Sequence, residues 1–166
     1  MKVRWLRNAK KGKPEELNEI YEELKNKGLQ QEVKHFNDSS GRNALILASW
    51  EGHLDICQFM LREDLVDVNS KNDYGHNALH YAANNNRPEI VKLLLEETSI
   101  DVNAQTDIGR TALHFAAYHN YPEVTRKLLK YKPRLLKTKS GETPFDVARR
   151  IGYKEFISLL ETHYNS

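Results

Sequence analysis

Seven histidines and a single cysteine are the residues of this 166-residue chain whose chemistry could reach beyond packing. A zinc site needs imidazoles paired at i, i+4 on one helix face, or imidazoles joined by carboxylates. His35, His53, His76, His119 and His163 are read as lacking both. A lone Cys57 excludes a disulfide framework or a Cys-based metal centre within one chain. Beside Ile56 it reads as a small buried hydrophobe rather than a nucleophile. The Glu96-Glu97 pair falls at a helix end, where both carboxylates are solvated. Phosphate-cradling Gly-rich loops and nucleophile-elbow motifs are absent. The chain is therefore expected to be no enzyme, with no catalytic residue, no cofactor and no metal. His80 and His114 stand apart, because each sits in the same Leu-His-x-Ala setting.

That shared setting leads to the elements that carry it. Gly41, Gly75, Gly109 and Gly141 stand 34, 34 and 32 residues apart. Self-similarity at such a period decides the architecture. After Gly75, the residues Leu79, Ala82 and Ala83 fall at i, i+3, i+4 and share one face of a short helix. Asn86 ends it, where other copies carry Gly52 and Gly152, residue types that tolerate the left-handed conformation closing a helix. Pro88 and Pro122 open a second helix, where a missing N–H costs nothing. Ile90, Leu93, Leu94 and, one step off the stripe, Val91 supply its buried face. A single helix pair cannot enclose its own apolar face, so the units must stack.

The runs Asn-Ala-Leu-His-Tyr-Ala-Ala (77–83), Thr-Ala-Leu-His-Phe-Ala-Ala (111–117) and Thr-Pro-Phe-Asp-Val-Ala (143–148) resemble the ankyrin-repeat signature. The Asp-Val-Asn triplets at 67–69 and 101–103 do so too. The resemblance spans roughly residues 41 to 160. Ala44, Ala78 and Ala112 replace the family's proline, and Ile46 its histidine. It implies an all-α solenoid of about five stacked helix-turn-helix units joined by polar connector tips. The whole chain, 1–166, then forms one domain: an N-terminal capping unit (1–40), repeats at 41–74, 75–108 and 109–140, and a C-terminal capping repeat (141–166).

The first unit lacks the signature but has the shape of a cap. Trp5, Leu6 and Ala9 mark a helix that stops near Gly12. Pro14, Glu15 and Glu16 open another, with acids at the positive end of its dipole. Leu17, Ile20, Tyr21 and Leu24 form its apolar stripe. From Gln30 to Ser40 the pattern leaves a helical turn and a loop equally open, with Val33 and Phe36 as its apolar residues.

The resemblance further implies a structural role for His80 and His114 near the turn between repeats. It implies that positions one before each repeat Gly, and one, nine and ten after it, project into the tips and the concave groove. In the middle copies these are Tyr74 and Ile108; Arg42, His76 and Arg110; Trp50, Asn84 and Tyr118; and Glu51, Asn85 and His119. Exposed aromatics with arginine beside them have the composition of protein-binding hot spots. The expected function is a non-catalytic protein–protein interaction module, with Trp50 and Tyr118 as chief anchors. The alternative is binding of nucleic acid or an acidic ligand through the basic C-terminal third, where Arg126 to Lys154 holds ten basic residues against two acids. By the same resemblance, Asn69 and Asn103 are similar to the site of the asparaginyl hydroxylase that modifies ankyrin repeats in animal cells.

The overall balance adds little to the choice of partner: net charge is +2, the apolar fraction 39% and mean hydropathy −0.71. No apolar run approaches a membrane span, and the basic N-terminus has no apolar stretch behind it. A monomer in a reducing compartment, cytoplasm or nucleus, is expected, without membrane insertion.

Overall fold

The computed structural model describes residues 1–97 and 99–165, Glu97 by its backbone alone. The Glu97 half of the acidic pair and the terminal Ser166 thus lie outside what is described. Ten α-helices run in chain order among the described residues. They are α1 (Lys2–Lys11), α2 (Pro14–Asn26), α3 (Ala44–Glu51), α4 (Leu54–Arg62), α5 (Ala78–Asn84), α6 (Pro88–Glu97), α7 (Ala112–His119), α8 (Pro122–Leu129), α9 (Pro144–Ile151) and α10 (Lys154–Tyr164). A 3₁₀ segment, Gln30–His35, resolves the ambiguous stretch after α2. Val33 is buried in it and Phe36 packs half-buried just beyond.

The helices form two layers. Each odd-numbered helix packs on the next odd one, from α1 through α9, while α4, α6, α8 and α10 follow one another behind them. Alanines explain how closely the inner row approaches. Ala44, Ala48, Ala78, Ala82, Ala83, Ala112, Ala116 and Ala117 are all buried between neighbours. In the middle of the row a helix is enclosed on two sides, so in α3 every residue from Ala44 to Ser49 is buried. At the open end α9 keeps a polar face, with Arg149 and Arg150 exposed. The outer row supplies the bulk: Ile56, Met60, Ile90, Leu94, Val124, Leu128, Phe156 and Leu160.

On α6 the buried face differs slightly from the expected stripe. Ile90, Val91, Leu94 and Leu95 are buried, and Leu93 sits half-buried at the edge of the core. Positions i, i+1, i+4 and i+5 make a broad face, which suits a helix packed on α5 with α4 and α8 to either side.

Each inner helix ends as its sequence dictates. Gly52 and Gly152 take φ +99° and +92°, while Asn86 and Asn120 take +52° and +54° in the equivalent turns. In the N-terminal unit the expected apolar residues are buried: Trp5, Leu6 and Ala9 on α1, and Leu17, Ile20, Tyr21 and Leu24 on α2.

Candidate functional site: the inner-helix face and the connector tips

The tips are built by one device used four times. Three residues before each repeat Gly, a side-chain oxygen accepts backbone N–H groups across the turn. Asp38 accepts from Ser40 (2.9 Å) and Arg42 (3.0 Å), and Asn72 from Tyr74 (3.1 Å) and His76 (2.8 Å). Thr106 accepts from Arg110 (3.1 Å) and Thr138 from Glu142 (3.2 Å). Neighbouring tips are then stitched together. The Asp73, Asp107 and Lys139 N–H groups donate to the Ser40, Tyr74 and Ile108 carbonyls at 3.2, 3.2 and 3.0 Å. This close approach is why the tips carry glycine: a Cβ on Gly109 would stand 2.9 Å from Thr138 Cα. The sequence reading missed the acceptor position, although Asp, Asn and Thr in a turn are its signal.

The stitched tips present large side chains outward. Tyr74 is 62% exposed and Ile108 52%. Tyr118, at the end of α7, is 46% exposed, with the Arg110 guanidinium 5.8 Å from its ring centre. These residues form a path along the stack, since Ile108 lies on the tip bonded to that of Tyr74 and two residues before Arg110. His119, also exposed, stacks on Tyr121 (5.2 Å, 15°) and bonds through Nε2 to Asn84 Oδ1 at 3.1 Å. The Asn85 amide donates to the Tyr81 carbonyl (2.9 Å) and closes the end of α5. Glu51 is half-buried at the end of α3.

Trp50 departs from expectation. It is half-buried, lies flat on Tyr81 of the next repeat (5.2 Å between ring centres, 17° apart), and has the Arg42 guanidinium 5.0 Å from its centre. The packing between the repeats at 41–74 and 75–108 therefore uses this ring, which the sequence reading places in the groove as an exposed anchor. Arg42 is itself held by Asp38 at 2.7 Å. Burial works to raise the Asp38 carboxyl, and the hydrogen bonds from Arg42 and the Ser40 backbone outweigh it, leaving the group below its ordinary range. His76 departs likewise. It is half-buried against His80, Tyr81 and Phe115, with ring centres 5.5–5.9 Å apart, and burial lowers its pKa.

His76 and His80 stand four residues apart, a pairing the sequence reading passed over, yet geometry removes them as metal ligands. His80 Nδ1 accepts the Asn77 N–H at 3.1 Å, so its proton is on Nε2, which donates to the Ala104 carbonyl at 2.8 Å. Both nitrogens are thereby spent tying α5 to the following connector. Burial lowers the pKa to about 3 and keeps the ring neutral. His114 repeats the arrangement with Thr111 N–H (3.1 Å) and the Glu142 carbonyl (3.1 Å). The structural role expected of both is thus observed. Among the described residues no group of three or more His, Cys, Asp or Glu side chains is placed to hold a metal ion. Cys57 is fully buried against Ser49 (Sγ–Oγ 3.6 Å), and burial pushes its thiol up to about 12, far from a nucleophile's range.

Asn69 and Asn103 lie on the connectors and bridge them. The Asn69 amide donates to the Ser99 carbonyl (3.2 Å) and accepts the Asp101 N–H (3.1 Å), while Asn103 accepts the Arg134 N–H at 2.7 Å. In the basic C-terminal third, Arg126 meets Glu155 (3.4 Å), Lys127 meets Glu89 (3.2 Å) and Arg150 meets Glu142 (2.8 Å). Lys130, Lys132, Arg134, Lys137 and Lys139 stand exposed. No helix among the described residues is long and apolar enough to cross a membrane.

Helix pairs at a period of 34, a His bridging successive repeats and glycine tips stitched by their backbones are the geometry of one repeat family. A family model described as ankyrin repeats (3 copies) matches residues 8–106, and one described as ankyrin repeats (many copies) matches residues 94–148. The match thus begins inside the N-terminal unit, well before residue 41. No curated protein gives a significant match to the chain. On its repeat geometry and on these two family matches, the chain belongs to the ankyrin-repeat family.

Proposed function

We propose that the chain binds another protein through its inner-helix face and connector tips, without catalysing a reaction. Ankyrin repeats are generally protein–protein interaction modules and typically non-catalytic. The observation that carries the reading for this chain is the exposed path Tyr74–Ile108–Arg110–Tyr118. Three large apolar side chains lie along one edge, where the fold gives them no partner that would bury them. Rings and a guanidinium exposed together are the usual source of hot-spot energy. Around this path the flanking contacts are Arg42, Glu51, His76, Asn84, Asn85 and His119. Trp50 offers a partner only the part of its ring that Tyr81 leaves uncovered. The compartment that fits a single buried thiol is reducing, the cytoplasm or nucleus.

The test is capture of partners from a native lysate by the wild type and by the Tyr74→Ala, Ile108→Ala and Tyr118→Ala variants. Each variant should melt within about 0.5 kcal/mol of the wild type. Binding of the captured protein should weaken by about 2–4 kcal/mol for a central anchor. Unchanged capture by all three removes this face from the interface. A steep loss of affinity with added salt that charge reversal at Lys130 and Lys132 abolishes would move the site to the basic C-terminal third.

A further inference from the structure

At the N-terminal end of the inner row, α1 and the turn at residues 37–42 enclose an open depression of about 570 Å³. Its floor is apolar: Leu6 and Leu47 lie at the bottom, and Val3, 68% exposed, forms one wall. Its rim is cationic, made by Lys2, Arg7, Lys10 and Arg42. Asp38 is the one acid among the described lining residues, and it is already paired with Arg42 at 2.7 Å. Lys2, Arg7 and Lys10 meet no carboxylate at ion-pair distance among the described residues; Lys10 instead lies 5.8 Å from the Trp50 ring centre. Six basic residues and no acid stand between Lys2 and Lys13. The depression is rigidly framed. Trp5 and Ala9 anchor α1 in the core, and its last turn is tied down by His53 Nε2 on the Lys10 carbonyl at 3.0 Å.

We infer that this depression is a docking site for an acidic peptide segment of a partner protein, one bulky apolar side chain seated on Leu6 and Leu47 and flanking Asp or Glu residues reaching Lys2, Arg7 and Lys10. The inference rests on the proposed protein-binding role and extends it to the first inner helix. Two features select the occupant. Unneutralised cations around a concave apolar floor attract negative charge and concentrate it at the rim. The floor rewards an apolar side chain with desolvation, which a phosphodiester backbone lacks. A recessed hollow also matches a protruding side chain better than a flat bilayer surface.

The experiment selects binders from a random peptide library on the intact chain and measures the enriched peptides by titration. Peptides carrying one large apolar residue flanked by Asp or Glu should be enriched. The double variant Arg7→Glu/Lys10→Glu, both positions exposed, should weaken them at least about tenfold. Replacing the peptide's apolar residue with Ser should do the same, whereas Arg126→Glu at the far end of the stack should leave them within about twofold. Enrichment of basic or neutral peptides, indifference to the double variant, or indifference to the Ser replacement overturns the proposal. So does tighter binding of single-stranded DNA, or of vesicles rich in phosphatidylserine, at the same residues. The broader reading fails separately: it falls if neither the double variant nor the Tyr74, Ile108 and Tyr118 variants lose partners captured from lysate. If only the latter lose them, the depression is not the site and the groove reading stands.

Discussion

A neutral imidazole buried between repeats is a liability in acid. His80 holds its proton on Nε2 for the Ala104 carbonyl and offers Nδ1 to the Asn77 N–H, an arrangement that a second proton destroys. Its folded pKa, about 3, lies below the ordinary 6.5, so the unfolded chain binds the proton more readily. Stability from this group is therefore fully present above about pH 6.5 and is lost as pH falls toward 3. His114 is shifted in the same direction by burial. Thermal melts should show the wild type losing on the order of 1–2 kcal/mol between pH 7 and pH 5. The double variant His80→Gln/His114→Gln should be less stable at pH 7 but flatter across that interval. The two aromatics expected to act alike should separate. Trp50→Ala removes a ring stacked on Tyr81 and should cost about 1–3 kcal/mol of stability. Tyr118→Ala should cost less than about 0.5 kcal/mol, because the residue is 46% exposed and stacks on no described ring of the next repeat. Equal melts for the two would contradict the packing described.

Helices here are too short to stand alone, and each is stable because it buries a face against two neighbours. Leu94 on α6 is fully buried, so Leu94→Ala should destabilise by about 2–5 kcal/mol in a urea titration. The connector tips depend on backbone proximity rather than side-chain burial. Gly109 combines φ +81° with a Cβ position 2.9 Å from Thr138 Cα and 3.0 Å from Lys139 N. Gly109→Ala should then cost more than about 1 kcal/mol, through both strain and a forced opening of the Ile108–Lys139 stitch. Binding should suffer with it, since Ile108 and Arg110 flank that glycine. A Gly109→Ala protein with an unaltered melt would show the tips to be looser than their hydrogen bonds imply.

Across the whole stack, each unit touches only its neighbours, so stability is a sum of unit and interface terms. The middle helices α5 and α7 have a neighbour on each side in the inner row, while α10 closes the outer row at one end. Native-state hydrogen exchange should accordingly find its greatest protection in α5 and α7, falling toward α10. Uniform protection from α1 to α10 would mean a single cooperative unit instead. Charge is distributed unevenly along the same axis. Among the described residues, the N-terminal depression keeps Lys2, Arg7 and Lys10 unpaired around an apolar floor, whereas at the other end Arg126, Lys127 and Arg150 meet glutamates and Lys130, Lys132, Arg134, Lys137 and Lys139 stand exposed along the connector. An acidic segment that carries an apolar side chain should therefore settle at the α1 end, and charge reversal at Arg7 and Lys10 should weaken its binding more than reversal at Arg126, which already meets Glu155.

By itself the sequence determined the repeating helix pair, though the acceptor at Asp38, Asn72, Thr106 and Thr138 changes type from copy to copy and hid the repeating tip. The spacing of glycines, the alanine face of the inner helices, Pro88 and Pro122 at helix starts, and the histidines of the Leu-His-x-Ala runs are local signals. Steric and hydrogen-bonding rules read them identically in each copy. Copy-specific contacts were decided only by stacking, because they join residues 30 or more positions apart. Trp50 meets Tyr81 of the next unit, and periodicity says nothing about a ring's neighbour across an interface. His76 is drawn in beside Phe115 for the same reason. The α1 depression was equally invisible, for its floor unites Leu6 with Leu47 and its rim Arg7 with Arg42. Those pairs come together only once an unsigned first unit is seated on the repeat that follows, since the apolar stripe of α1 specifies that it packs and the shape of α3 decides where.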